Sequence, residues 1–239
     1  ISEAALIGGC SIPKPGEVSL AHNGVLFLDE FTEYRRSVLE SLRQPLSDGF
    51  VTIARAHAAY TYPARFSLVA ACNPCPCGYL GDERTSCKCS PRDIMNYGSK
   101  LSGPILDRID IKVEVRRVDI GDGTQLKRGE STKTVAGRVA QARAVQHERF
   151  SKINERAPYT GENIFSNAMM RQEHIREFCN LAEGTEILLR KMADRFDLSM
   201  RAYFKILKVA RTIADLSGSF ETRKEDLLEA IQYRTGCRE

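Results

Sequence analysis

The 239 residues are 42% hydrophobic and 28% charged, an ordinary globular composition with room for one large domain or two modest ones, which excludes a disordered chain. No stretch approaches the ~18 consecutive apolar residues of a membrane-spanning helix. Ile1-Ser2-Glu3 has no basic leader and the net charge is only +4, so a cytoplasmic protein is expected, and charge alone makes no case for nucleic acid.

Because the chain begins at Ile1 rather than Met, it is expected to be a fragment with further motifs upstream. Gly24-Val-Leu-Phe-Leu28 is a continuous apolar run ending in Asp29-Glu30, the pattern of a strand buried on both faces of a parallel sheet. From Tyr34 to Leu46, Val38, Leu39, Leu42 and Leu46 share one face of an amphipathic helix. Alternation over Phe50 to Ile53 and again over Ala59 to Tyr62 predicts an inserted hairpin. Phe66 to Cys72 is a second buried strand, stopped at Asn73-Pro74 because proline has no N–H for the ladder. Strand, helix and strand make a parallel crossover unit.

Ile111 to Val115 alternates as a half-buried strand, and residues 117–132 then turn polar and Gly-rich, as a linker does. Beyond it the spacing predicts helices over Val135 to Phe150, Gln172 to Ala182, Thr185 to Phe196 and Met200 to Leu216, with Gly218 closing the last of these. A final helix starts at Thr222-Arg-Lys-Glu225, which fits a capping box. Phe204, Leu207, Ala210 and Ile213 mark the core-facing stripe of the helix from Met200. Residues 131–160 are locally basic through Lys133, Arg138, Arg143, Arg149, Lys152 and Arg156, either a binding surface or a solvated helix face.

A strand that ends in two carboxylates at a sheet edge suits nucleotide hydrolysis, with Asp29 holding Mg²⁺ and Glu30 orienting and deprotonating water. The same pair fits equally well as a cap on the next helix. Asn73 ends the neighbouring strand and can aim its amide at the same crevice, or serve as a turn residue. Arg108, within Ser102-Gly-Pro-Ile-Leu-Asp-Arg-Ile-Asp110, can reach across a subunit boundary to a transferring phosphoryl group or pair locally with Asp107 or Asp110.

In order, Gly24-Val-Leu-Phe-Leu-Asp-Glu30, Leu68-Val-Ala-Ala-Cys-Asn-Pro74, Gly103-Pro-Ile-Leu-Asp-Arg-Ile-Asp110 and Leu198-Ser-Met-Arg201 resemble the Walker B, sensor 1, arginine finger and sensor 2 elements of AAA+ ATPases. Ile1 to Gly9, Pro15 to Gly24, Asn73-Pro-Cys-Pro-Cys-Gly-Tyr79 and Lys208 to Asp215 look like the magnesium-chelatase-like branch, and within it the bacterial ComM/YifB family. The resemblance implies an α/β fold: a partial AAA+ P-loop NTPase core over residues 1–117, a linker over 118–132, and a small all-α lid over 133–239. It also implies that Arg201 is sensor 2, that residues 10–22 and 49–62 are hairpins facing a ring pore, and that the cofactors are ATP and Mg²⁺. No Gly-x-x-x-x-Gly-Lys-[Ser/Thr] occurs in the chain, so these residues alone are expected to bind ATP weakly and not turn it over.

Eight cysteines in a chain expected in the cytoplasm argue for reduced thiols or metal. Cys75-Pro-Cys77 and Cys87-Lys-Cys89 are two Cys-x-Cys pairs with Gly78, Gly81 and Asp82 between them, a set that suits structural Zn²⁺, with free thiols and an iron-sulfur cluster as alternatives. Cys10, Cys72, Cys179 and Cys237 are scattered and are expected as small buried apolar side chains. His22, His57, His147 and His174 form no metal-binding pattern. The leading expectation is a homo-oligomeric, hexameric ATP-driven DNA motor of the branch-migration type, used in recombination of incoming DNA. A protein-remodelling ATPase and a zinc-stapled, non-enzymatic interaction module are the alternatives.

Overall fold

The computed structural model describes residues 1–9, 13–54, 58–115, 129–156 and 163–235. The chain forms two compact units, Ile1–Ile109 and Asp110–Glu239. No described helix is long and apolar enough to cross a membrane.

The first unit opens with α1 (Glu3–Ile7), capped by the Ser2 hydroxyl on the Ala5 N–H. Two short strands, β1 (Gly8–Gly9) and β2 (Lys14–Pro15), pair antiparallel and lead into α2 (Glu17–Leu20). The hairpin expected over residues 10–22 is therefore shorter than its pattern: residues 10–12 lie outside the described residues, and 17–20 are helical. Gly16 supplies an extended N-cap for that helix, and Val18 buries one side of it.

Strand β3 (Val25–Leu28) is followed by a 3-10 turn over Phe31–Glu33 and then by α3 (Arg36–Ser41) and α4 (Arg43–Asp48). One helix was expected over this span, and Pro45 explains why there are two. It has no N–H for the Ser41 carbonyl and its ring crowds that turn, so the chain hands over at Leu42, and the apolar face of Val38, Leu39 and Leu42 stays buried. The hairpin β4 (Phe50–Ala54) and β5 (Ala59–Pro63) follows in the expected place, paired Phe50↔Pro63 through Ala54↔Ala59, with residues 55–57 outside the described set.

The crossover returns to β6 (Ser67–Ala70), which pairs parallel with β3 from Val25↔Ser67 to Leu28↔Ala70. Leu26 and Leu28 point into a core shared with Leu6, Val18, Phe31, Leu39, Leu42, Val51 and Ile105. Val25 and Phe27 are 63% and 59% exposed, so β3 is buried on one face rather than both; alternate residues of a strand face opposite ways, and the described elements of this unit cover one side. Helices α5 (Pro91–Ser99) and α6 (Gly103–Leu106) complete the unit, α5 opening on a Ser90/Asp93 capping box.

The second unit is helical: α7 (Thr132–Arg156), a 3-10 turn over Asn167–Met169, α8 (Gln172–Phe178), α9 (Thr185–Arg195), α10 (Met200–Leu216) and α11 (Lys224–Thr235). Residues 118–128 of the expected linker lie outside the described residues. The strand expected over Ile111 to Val115 does not form. Val113 and Val115 are 65% and 89% exposed, and the Lys112 N–H donates to the Tyr233 carbonyl of α11 instead of to a ladder.

The face of α10 differs from its expected stripe. Ala202, Ile206, Leu207, Ala210, Arg211, Ala214 and Asp215 are buried, whereas Phe204 and Ile213 only flank the core. Leu207 and Ala210 of the expected stripe are buried as expected, and the buried face extends past them to Arg211 and Asp215, whose charges are paired inside. Gly218 ends α10 with positive φ, its N–H on the Asp215 carbonyl. The cap of α11 also differs: the Arg223 N–H donates to the Asp226 carboxylate, not to Glu225, while the Thr222 hydroxyl is buried without a partner.

Candidate functional site

The parallel register of β3 and β6 puts their C-terminal ends side by side. Past the last strand pair, the Ala71 N–H donates to the Leu28 carbonyl and the Phe31 N–H to the Ala71 carbonyl. Asp29 and Glu30 leave the ladder between those two bonds, both exposed, while Asn73 leaves β6 at the same edge, also exposed. Glu30 sits in the left-handed region (φ 49°, ψ 45°), which costs a non-glycine residue on the order of 1 kcal/mol or more and concentrates at functional positions. Its N–H donates to Asp29 Oδ1 at 2.8 Å. Glu30 is the N-cap residue of the 3-10 turn that follows, but its carboxylate makes no capping bond to that turn. One Asp29 oxygen is held by backbone and the other is open, a donor that fits a hydrated hard cation such as Mg²⁺.

Arg108 follows α6. Its Nε donates to the Arg43 carbonyl at 2.9 Å and to Ser47 Oγ at 2.8 Å, and Nη1 donates to the Pro104 carbonyl at 2.7 Å. The Ser102 hydroxyl at the start of α6 donates to Glu40 Oε1 on α3, and this bond, with Arg43 beside it, holds the Glu40 carboxyl below its usual range. The turn that carries Arg108 is thus tied to α3 and α4, with part of the guanidinium engaged locally. Asp110 pairs instead with Lys205 Nζ at 2.6 Å, within the second unit.

Arg201 is exposed in the first turn of α10, after the Ser199 N-cap. Lys205 and Lys208 follow it at helical spacing on the same face. Burial pushes both lysines down from their usual values, against the pull of Asp110. Lys208 Nζ also donates to the Ala168 carbonyl at 3.0 Å. Neither lysine was singled out from sequence, although a run of cations at positions i, i+4 and i+7 is a readable signal.

The four clustered cysteines come together in the loop between β6 and α5. Their Sγ atoms all lie within 4.8 Å of one another. Backbone N–H groups of Tyr79 and Lys88 favour the Cys77 thiolate and bring it down to about 6. The Cys89 backbone N–H favours the thiolate at Cys87, but burial and the neighbouring thiols outweigh it and the value rises. Burial and the adjacent thiols push Cys89 up to about 12. Gly78 and Gly81 turn with positive φ, and Asp82 Oδ1 accepts from the Arg84 and Thr85 N–H groups.

Of the scattered cysteines, Cys179 is buried, which raises its thiol to about 11. Cys72 is exposed rather than buried, because it lies past the last ladder pair at the open sheet edge. Cys10 and Cys237 lie outside the described residues, as does His57. His22 Nδ1 accepts from the Arg65 N–H and His174 Nδ1 from the Arg171 N–H, so both serve the backbone.

A buried polar network in the second unit was missed from sequence. Arg149 on α7 donates to both carboxylate oxygens of Asp215 and to Asn167. Arg211, 1% exposed, donates to Asp215 and to the carbonyls of Ser219 and Phe220. Burial alone would raise the Asp215 carboxyl, but hydrogen bonds from Arg149 and Asn167 and the charges of both arginines hold it below its usual range. The basic surface expected over 131–160 is correspondingly reduced: Arg149 is half-buried and engaged by Asp215, and Arg138 is paired with Glu130 at 2.7 Å.

Comparison with known proteins matches residues 1–123 to the family profile for magnesium chelatase, subunit ChlI, and residues 129–234 to that for the ChlI C-terminal region. Competence protein ComM of Haemophilus influenzae is 45% identical over 239 residues, covering 99% of this chain and 44% of ComM. YifB of Escherichia coli is 42% identical over 235 residues, covering 98% of this chain and 43% of YifB. The magnesium-chelatase subunit ChlI of Bigelowiella natans is 32% identical over 72 residues, which is 30% of this chain and 20% of that subunit. The chain therefore spans less than half the length of ComM and YifB.

Proposed function

Because the chain belongs to the magnesium chelatase subunit ChlI family, an AAA+ ATPase-like group, we propose that it is the Walker B-to-lid portion of an ATP-hydrolysing ring motor that moves DNA. The observation that carries the hydrolytic half is the shared edge of β3 and β6, where Asp29, Glu30 and Asn73 leave adjacent parallel strands and Glu30 is held in a left-handed backbone conformation.

In this reading Asp29 holds Mg²⁺ through its open oxygen, and the ion supplies neutralisation of phosphate charge. Glu30 accepts the proton of the attacking water, and Asn73 orients that water or the terminal phosphate. Arg108 swings from its local bonds to complete a neighbouring subunit's site in a hexameric ring, and Arg201 contacts ATP from the helical unit. The hairpin of β4 and β5, with Tyr60 exposed at 44%, is the element offered to DNA. The DNA half is supported by similarity to a competence protein. Similarity to a chelatase subunit supports protein remodelling as the second reading.

The test uses the whole protein at the length of its relatives. ATP hydrolysis is measured with and without single-stranded and branched DNA at two salt concentrations. Stimulation by DNA that weakens steeply with salt is expected, since phosphate contacts release counterions. Glu30→Gln is expected to lower turnover by about 10²- to 10⁴-fold, with ATP binding retained. Hydrolysis indifferent to DNA would transfer the reading to protein remodelling, and full activity in Glu30→Gln would remove the site assignment.

A further inference from the structure

We propose that Cys75, Cys77, Cys87 and Cys89 bind a single Zn²⁺ in a closed tetrahedral site, and that this ion is the core of the loop joining β6 to α5. The nearest sulfur pairs stand 3.4, 3.6 and 3.7 Å apart. Four thiolates about 2.3 Å from one zinc ion stand about 3.8 Å from one another at the corners of a tetrahedron, so one ion fits with small shifts. A disulfide needs its sulfurs at about 2.05 Å, far closer than these pairs. An iron-sulfur cluster spreads its four thiolates over two or more irons, so some pairs would stand further apart than the 4.8 Å that encloses all four here. Soft thiolates in a tetrahedral S₄ set select zinc among the common divalent ions.

The loop itself supplies the second argument. Between Ala71 and Ser90 there is no helix or strand, and Cys75 is the single buried side chain. A segment of this length without secondary structure is uncommon in a compact unit, and with one buried residue it has almost no apolar core to hold it. Its local bonds include turns: the Gly78 N–H on the Cys75 carbonyl, the Asp82 N–H on the Tyr79 carbonyl, and Asp82 Oδ1 accepting from the Arg84 and Thr85 N–H groups. Zinc binding contributes folding free energy where the chain lacks a core. All four coordination positions are filled by protein, so the ion's role is structural.

The staple begins beside the sheet edge described above. Cys75 is two residues past Asn73, and a Cβ on Gly78 would lie 4.0 Å from Asn73 Cγ, so the metal-held turn packs against the side chain proposed to face nucleotide. Zinc binding does not depend on that proposal, and the experiment below reads the metal alone.

Metal analysis of the purified chain, prepared without a histidine tag, is expected to find roughly one zinc per polypeptide. Cys87→Ser combined with Cys89→Ser is expected to abolish it, and Cys179→Ser, outside the cluster, to retain it. Because loss of the staple can unfold the loop, the unmutated chain is also stripped and reloaded with Co²⁺. Tetrahedral tetrathiolate cobalt gives intense visible bands and thiolate-to-metal charge transfer that Zn²⁺ bleaches. Substoichiometric zinc, stoichiometric iron, zinc retained in the double variant, or the weak spectrum of octahedral cobalt would each overturn the proposal.

Discussion

Glu30 and Asp215 are both acidic, yet their surroundings give them opposite work. Glu30 is exposed at a strand end in a left-handed backbone conformation, a placement that supports reactivity more than stability. Glycine adopts such a conformation without the steric penalty of a side chain, so Glu30→Gly is expected to leave stability unchanged or raise it by up to ~1 kcal/mol while abolishing turnover in the whole protein. Urea unfolding and an ATPase assay on the same preparation check this. Asp215 is 4% exposed and faces Arg149 and Arg211. Asp215→Asn strands two arginines against a neutral amide and is expected to cost about 3–5 kcal/mol, the penalty for breaking a buried ion pair from one side. A variant that unfolds at the same urea concentration as the parent would show that the arginines find other partners.

Elements in the first unit meet at close quarters where glycine permits it. A Cβ on Gly16 would lie 2.4 Å from the Gly8 backbone nitrogen and 2.5 Å from the Leu6 carbonyl oxygen, and Gly8 itself has φ +108°. Neither contact can be relieved by a rotamer change, since both atoms are backbone. Gly16→Ala is therefore expected to destabilise the α1, β1 and α2 corner by about 1–3 kcal/mol, read as a lower melting temperature. In α7, Ala142, Gln146 and Phe150 are buried at i, i+4 and i+8, so this helix docks through its later turns. Its exposed residues Val135, Val139 and Val145 would have misled any reading based on apolar content alone.

The two units hold separate cores, one around Leu6, Leu39, Leu42 and Ile105 and the other around Phe150, Leu189, Ile206 and Leu227. Acid should act on the second through Asp215 and Asp226, both held below the usual carboxylate range by their arginine partners against the effect of burial. A carboxylate whose folded value is depressed contributes stability above its unfolded value of about 3.9 and loses it as pH falls through the folded value. The helical unit is thus expected to unfold progressively below about pH 4, and Asp215→Asn to flatten that acid limb. Helical circular dichroism against pH reads both. The same substitution should leave the metal content of the first unit unchanged, since the four cysteines lie outside the helical core.

Local pattern was enough for the α/β class, the two parallel strands, the β4–β5 hairpin and the succession of helices, because each rests on periodicity and turn chemistry contained in a few consecutive residues. The four cysteines were legible for the same reason: both pairs sit in one short loop. Tertiary structure alone decided what depends on distant partners. It left Ile111 to Val115 without a ladder and tied Arg108 to α4, whereas the split of the helix at Pro45 is a local effect that the sequence already contained. It also buried Arg211 and drew the half-buried Arg149 onto Asp215. A charge reads as surface until its counter-charge is brought to it, and the separation of 66 positions from Arg149 to Asp215 is closed only by packing α7 on α10.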